Sequence, residues 1–116
     1  MLINSTSGKK IIEKTKTANT SFSRFKGLMF EKKENFDYGL VFELDKEGRI
    51  NSSVHMLFVF FPIDIVYLNS EKIVVDKTTL NPWILNYTPK KSAKYFVELP
   101  KETASKIKLG EKLKWN

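Results

Sequence analysis

The sequence contains no cysteine and a single histidine, His55, among its 116 residues. Without cysteine there is no disulfide, no thiolate zinc site and no thiol nucleophile. One histidine also rules out a metal site built from several histidines of one chain. A glycine-rich phosphate loop, a dinucleotide fingerprint and a nucleophile elbow are missing as well. We therefore predict no metal site and no cofactor, and the sequence identifies no catalytic residue.

Long hydrophobic runs are missing too. The longest apolar run covers residues 54–63, and His55 and Pro62 interrupt it. It is about half as long as a membrane-spanning helix. The first eight residues do not show the basic segment and apolar stretch of a secretory signal. We expect a cytoplasmic protein that does not contact a membrane.

Arginine is scarce although the chain is basic. The net charge is +7, yet Arg24 and Arg49 are the sole arginines among 20 basic residues. Residues 1–36 and residues 84–116 each carry eight basic and three acidic groups, whereas residues 37–83 carry four and seven. Excess positive charge favours a polyanionic partner, but specific nucleic-acid readers favour arginine. We expect at most weak, non-specific polyanion binding, and a lysine-rich surface is also typical of genome composition or a thermophilic habit.

The remaining composition is that of a folded domain, with 41% hydrophobic and 13% aromatic residues. We predict one domain over residues 1–116. Short apolar stretches between turn signals predict strands at 9–17, 38–44, 54–60, 63–68, 72–78, 93–99 and 111–115. Short helices are predicted at 20–29 and 101–107, and turns at 45–48, with Gly48 at positive φ, and at 69–71. The pattern predicts a mainly β (α+β) fold with one or two short helices, a small closed or half-closed antiparallel β-barrel-like domain.

Asp64 is the first candidate site residue because it lies among aliphatic residues. Its strand face is shared with Val66 and Leu68. A carboxylate on such a face must be paired or hydrogen-bonded, or it takes up a proton. It is either a tuned acid or ligand-holding anion, or a structural carboxylate held by backbone amides or by an arginine. Arg24 is the preferred partner, and we expect Asp64 to be at least half buried.

Three other residues have a functional and a structural interpretation each. Arg24 either clamps a phosphate or carboxylate or forms an ion pair with Asp64. His55 is either a general base or a histidine at the edge of the core. Trp83 is either a binding platform in a loop or a plug at one end of a barrel. The predicted ligand-binding residues are therefore Arg24, His55, Asp64 and Trp83.

Several sequence blocks resemble a known family. They are Arg-Phe-Lys-Gly-Leu-Met-Phe at 24–30, Tyr-Gly-Leu-Val-Phe at 38–42, the run 55–68 with its Pro-Ile-Asp, Pro-Trp at 82–83, and 93–100. In this order they resemble the uncharacterised prokaryotic family catalogued as domain of unknown function 192, over roughly residues 10–115. The resemblance implies a compact, β-rich, barrel-like domain and brings no established activity.

Two functions from different classes follow. The first is a non-catalytic binding module that holds an anionic or polymeric partner with its basic ends and an aromatic cleft. The alternative is a small-molecule-binding protein or small enzyme with a pocket around Arg24 and Asp64. The sequence does not identify the partner.

Overall fold

The computed structural model describes residues 1–18, 20 and 26–115. Within them, strands are the dominant element, and they are β1 Leu2–Asn4, β2 Lys9–Ile12, β3 Lys14–Ala18, β4 Tyr38–Gly48, β5 Ile63–Leu68, β6 Val74–Leu80, β7 Ala93–Pro100 and β8 Leu113–Trp115. Short 3₁₀ turns cover Lys33–Asn35, Ile50–Ser52 and Thr103–Lys106. Among the described residues, no helix is long and apolar enough to cross a membrane.

The strands form two sheets. The large sheet has the order β3-β4-β7-β5-β6, and the small sheet has the order β2-β1-β8. Neighbouring strands are antiparallel except β3 and β4, which run parallel with Lys14 opposite Tyr38. Because β1 pairs with β8, the two basic ends of the chain meet in the small sheet.

Both faces of the large sheet are buried, as expected for strands that are apolar on both sides. On one face, Val66, Val97 and Leu99 pack against the small sheet and the turn Thr103–Lys106. We call this the strand-covered face. On the other, Phe42, Ile65 and Phe96 belong to a cluster completed by residues of the connecting loops, namely Leu28, Phe36, Val54, Met56, Val59 and Phe61. We call this the loop-covered face.

The predicted mainly β class is confirmed, and the barrel is supported in part. The sheets are not closed on each other. In the described part of the chain, the isolated bridge between Ile73 and Lys112 links them. The strands predicted at 63–68 and 93–99 are present, and the partner predicted at 72–78 lies at Val74–Leu80. The turn at 69–71 is also present, with the N–H of Lys72 donating to the carbonyl of Asn69 at 2.9 Å.

The central strand predicted at 54–60 is wrong. This segment is a loop with an isolated bridge between Val54 and Tyr87, and the N–H of Met56 donates to the carbonyl of Ile84 at 2.7 Å. The N–H of Val59 bonds to the carbonyl of Met56 at 3.2 Å, and Phe58 adopts a left-handed φ of 57°. Apolar residues on both faces fit a buried strand, but they fit equally a loop that lies on a sheet and buries part of its side chains.

Other boundaries also differ from the prediction. The strand β4 continues through the predicted turn to Gly48, which pairs with Ala93 and lies outside the left-handed region. The first predicted strand is divided at Glu13 into β2 and β3, which join different sheets. The helix predicted at 101–107 is the single turn Thr103–Lys106. The helix predicted at 20–29 falls mainly outside the described residues.

Candidate functional site on the loop-covered face

Four aromatic side chains form an exposed cluster on the loops of this face. Phe30, Phe58, Phe60 and Trp83 are 64%, 39%, 58% and 45% exposed. The rings of Phe30 and Phe58 stack with centroids 4.9 Å apart, and Trp83 meets the rings of Phe58 and Phe60 edge-on at 5.0 and 5.6 Å. Together these rings form a continuous apolar surface, which we call the aromatic cluster.

The backbone beneath the aromatic cluster is strained. Phe30, Phe58 and Trp83 have left-handed φ values of 63°, 57° and 67°. That conformation costs a non-glycine residue about 1–2 kcal/mol. It is held by hydrogen bonds from the N–H of Phe30 to the carbonyl of Phe58 at 2.8 Å and from the N–H of Trp83 to the carbonyl of Met56 at 2.9 Å. Such strain concentrates at functional sites, where the surrounding structure maintains it.

A small cavity lies under the same loops, with Glu98 at its wall. Its volume is about 50 Å³, and its lining includes Lys26, Gly27, Ser53, Val54, His55, Val59, Phe42, Phe96 and Glu98. Glu98 is 4% exposed, and its Oε1 has no hydrogen-bond partner among the described residues. A Cβ added to Gly27 would lie 3.5 Å from that oxygen, so the glycine keeps the space in front of the carboxyl open.

Burial controls the titration of Glu98. Removal from water disfavours the ionised carboxylate and raises the pKa of Glu98 to about 8. Burial also raises the pKa values of Tyr38 and Tyr67, and the charge of Glu98 adds to both shifts. Glu98 is therefore mainly protonated at neutral pH, and its ionisation can be changed by whatever enters the cavity.

Asp64 lies on the opposite, strand-covered face. It is 4% exposed, so the predicted burial is confirmed. Its Oδ1 accepts from the hydroxyl of Thr79 at 2.8 Å, and its Oδ2 accepts from the N–H of Ala104 at 2.9 Å. The backbone donor comes from the turn Thr103–Lys106 rather than from the neighbourhood of Pro62. These bonds tie the turn to β5, as the structural interpretation requires.

The other predicted site residues are dispersed. His55 lines the Glu98 cavity, and its Nδ1 accepts from the N–H of Leu57 at 3.2 Å. Trp83 belongs to the aromatic cluster and does not plug a barrel, since it is nearly half exposed and the sheets are not closed. Arg24 lies outside the described residues. The structure thus brings His55 and Trp83 to one face and places Asp64 on the other.

The basic ends of the chain contribute lysines to both sides of the large sheet. Exposed lysines of the terminal strands, including Lys9, Lys10, Lys112 and Lys114, lie on the small sheet, on the strand-covered side. Near the aromatic cluster the basic residues are Lys26 at the cavity and Lys33 and Lys101 beside Phe61. Binding of an anionic or polymeric partner by the basic ends and an aromatic cleft therefore stays a prediction.

The sequence analysis does not single out Glu98, which lies in the strand predicted at 93–99. Tyr95, Val97 and Leu99 pack on the strand-covered side of this strand. Glu98 lies on the opposite face, next to Phe96. That aromatic residue was the available signal that both faces are buried.

The fold and the site define a class of protein: a small two-sheet β domain with a buried carboxyl and an exposed aromatic cluster on one face. Among the described residues, no three histidine, aspartate or glutamate side chains converge as a metal site. The family model DUF192, described as "Uncharacterized ACR", matches residues 2–115. The chain belongs to this family, which confirms the resemblance seen in its sequence.

Similar proteins agree with this assignment. The UPF0127 protein PF1050 of Pyrococcus furiosus is 45% identical over 99% of this chain and 97% of its own length. The UPF0127 protein PH1112 of Pyrococcus horikoshii is 39% identical over 99% and 98%. A crystal structure of a protein of unknown function from Novosphingobium aromaticivorans matches with a TM-score of 0.77 at 22% identity, covering 87% of this chain and 74% of that one. A Sinorhizobium meliloti structure, described as a candidate transcription regulator, matches with a TM-score of 0.78 at 19% identity, covering 97% and 88%.

Proposed function

We propose that this protein is a non-catalytic binding module whose aromatic cluster binds an anionic polymer with stackable rings, namely single-stranded nucleic acid. The observation that carries the proposal is the set of four exposed aromatic rings in mutual contact, three of them on left-handed backbone. Protein surfaces rarely expose contiguous apolar area without a binding role.

Stacking accounts for the ring surface. Bases of a single strand stack on aromatic side chains with little sequence preference, and each contact contributes about 1–3 kcal/mol. Phe30 and Phe60 are more than half exposed, so their rings are accessible to a base. Because the rings already pack against one another, little side-chain freedom remains to be lost on binding.

Lysines supply charge complementarity beside the rings. Lys33 and Lys101 line a depression of about 240 Å³ together with Phe61, which follows the exposed Phe60. Lys26 lines the cavity together with Met29, which precedes the exposed Phe30. Lysine attracts phosphate as a point charge without reading bases, so the binding is non-specific and weakens steeply with salt as counterions are released.

Fluorescence anisotropy with a labelled oligothymidine tests the proposal at low and moderate salt. We expect Phe60→Ala and Trp83→Ala each to weaken binding by about 5- to 100-fold, as loss of a base–ring stack does. Leu85→Ala is the matched control, since Leu85 is a 75% exposed apolar residue of the same loop without a ring. It should bind like the wild type.

The salt series separates stacking from charge. Lys33→Ala should reduce the slope of log K against log salt, whereas Trp83→Ala should leave that slope unchanged. Absence of binding to single- and double-stranded oligonucleotides at micromolar protein and low salt would refute the proposal. Equal weakening by Leu85→Ala would show that the rings have no special role.

A further inference from the structure

The buried carboxyl of Glu98 and the cavity in front of it form a site distinct from the exposed aromatic cluster. We propose that this cavity binds the ammonium group of a primary alkylamine, with Glu98 Oε1 accepting its N–H. The inference is independent of nucleic-acid binding, because it rests on a buried side chain rather than on the exposed rings.

The geometry first identifies a hydrogen-bond donor as the ligand. Glu98 Oε1 is buried and without a partner in the described part of the chain, although buried polar atoms are nearly always hydrogen-bonded. The absence of a side chain at Gly27, whose φ is 50°, leaves the approach to this oxygen open. A group that enters here and donates N–H removes the cost of the unsatisfied oxygen.

The cavity walls then favour an alkylammonium over other donors. Phe42 and Phe96 stack with centroids 4.3 Å apart, and Val54 and Val59 add aliphatic surface. Such apolar walls take a methylene stem. At about 50 Å³ the cavity takes about three heavy atoms, since one buried water needs about 15 Å³ of cavity. An aromatic base is too large.

Titratable side chains lie on each element around Glu98 and affect ligand binding in the cavity. Lys26 and His55 lie on the covering loops, and Tyr38 and Tyr67 lie on β4 and β5. Of these, Lys26 bears an ammonium group, which opposes a second positive charge. Replacing the Lys26 side chain by a neutral one should therefore strengthen amine binding and weaken nucleic-acid binding.

The pH dependence follows from the two partners. An ammonium requires the ionised Glu98, whose pKa is about 8 in the free protein, and a protonated amine, whose pKa is about 10. Affinity should fall about tenfold for each pH unit below 8 and fall again above 10. The optimum is therefore expected between about pH 8 and 10.

An NMR titration with ethylamine at pH 9 tests the proposal, following the methyl groups of Val54 and Val59 and the side-chain carboxyl carbon of Glu98. A dissociation constant on the order of millimolar is expected, because three heavy atoms can supply no more. Nα-acetyl-lysine methylamide in a parallel titration distinguishes a peptide lysine from a free amine. Tetramethylammonium, which has the charge but no N–H, should not bind.

Variants decide the outcome. Glu98→Gln should abolish the pH optimum and weaken ethylamine binding at least tenfold, and Lys26→Gln should tighten it severalfold. Glu43→Gln is the matched control, since its carboxyl is exposed and lies outside the cavity lining. Unchanged binding to Glu98→Gln, or no binding to the wild type, would overturn the proposal. The proposal would also be overturned if ethylamine bound to the Arg24→Met variant but not to the wild type. The arginine of the chain itself would then be the ligand of Glu98.

Discussion

Each face of the large sheet buries a carboxyl side chain, and the two residues lie in adjacent strands at neighbouring register positions. Asp64 lies opposite Leu99, and Glu98 lies opposite Ile65, one residue along the same pair of strands. On the strand-covered face Asp64 receives donors at both oxygens. On the loop-covered face Glu98 Oε1 has no donor among the described residues and faces a cavity.

The difference separates a structural carboxyl from a candidate functional one. Equal burial therefore does not indicate an equal role, because the cost of burying a carboxyl depends on its hydrogen bonds. The strand-covered face is completed by regular elements that supply donors. The loop-covered face combines an unsatisfied carboxyl, an open cavity and strained aromatic residues, which together resemble a site rather than a core.

The largest expected effect is the pH-dependent stabilisation by Glu98→Gln. The unfolded Glu98 releases its proton near its ordinary pKa of 4.5, whereas the folded one releases it at about 8. Between these values the native state binds more protons than the unfolded state, so this group makes stability fall as pH rises. Glutamine removes the effect, and the variant should gain up to a few kcal/mol over the wild type at pH 9.

Urea unfolding of both proteins from pH 4 to pH 9 measures this gain. Near pH 4 Glu98 is mainly protonated in both the folded and the unfolded state, so the variant and the wild type should be about equally stable. If the difference in free energy of unfolding between the two proteins did not change with pH, Glu98 would not be an unsatisfied carboxyl that binds a proton in the native state. The two faces of the sheet would then not differ in this respect.

The next effect in size is the destabilisation caused by Asp64→Asn. The amide can accept at one oxygen only, so either Thr79 or Ala104 loses its acceptor. We expect a loss of roughly 1–3 kcal/mol in the free energy of unfolding, as for other hydrogen bonds to charged groups. Thr79→Val, which removes one donor and leaves the backbone bond to Ala104, should cost less. A thermal melt that shows unchanged stability for Asp64→Asn would favour a functional Asp64.

The smallest effect concerns backbone strain on the strand-covered side. Glu102 has a left-handed φ of 75° next to the turn that donates to Asp64, and its side chain is exposed. Glu102→Gly relieves about 1–2 kcal/mol of strain and loses about 0.5–1 kcal/mol through chain entropy, so a net gain of up to about 1 kcal/mol is expected. Oligothymidine binding should not change. Weakened oligothymidine binding would show that backbone strain on the strand-covered side also contributes to ligand binding.

Some predictions succeeded because they depend on local pattern. The strands Ile63–Leu68 and Ala93–Pro100 were predictable because β-branched and aromatic residues lie between clear turn and proline signals. The run 54–60 was not, because an apolar segment without alternation is compatible with a strand or with a covering loop. The sequence indicates two residues of the site, Trp83 and His55, which share one face. It does not indicate Glu98 or the three phenylalanines of the aromatic cluster.

The sequence by itself determined the β class, the family and the presence of buried carboxyl chemistry near Asp64, since these follow from residue types and period-two patterns along single strands. Only the tertiary structure decided which carboxyl is satisfied. Donors to Asp64 come from residues 15 and 40 positions away, and the cavity at Glu98 is closed by loop residues 39 or more positions away. Hydrogen-bond satisfaction and cavity shape depend on contacts between distant segments, and no local pattern encodes them.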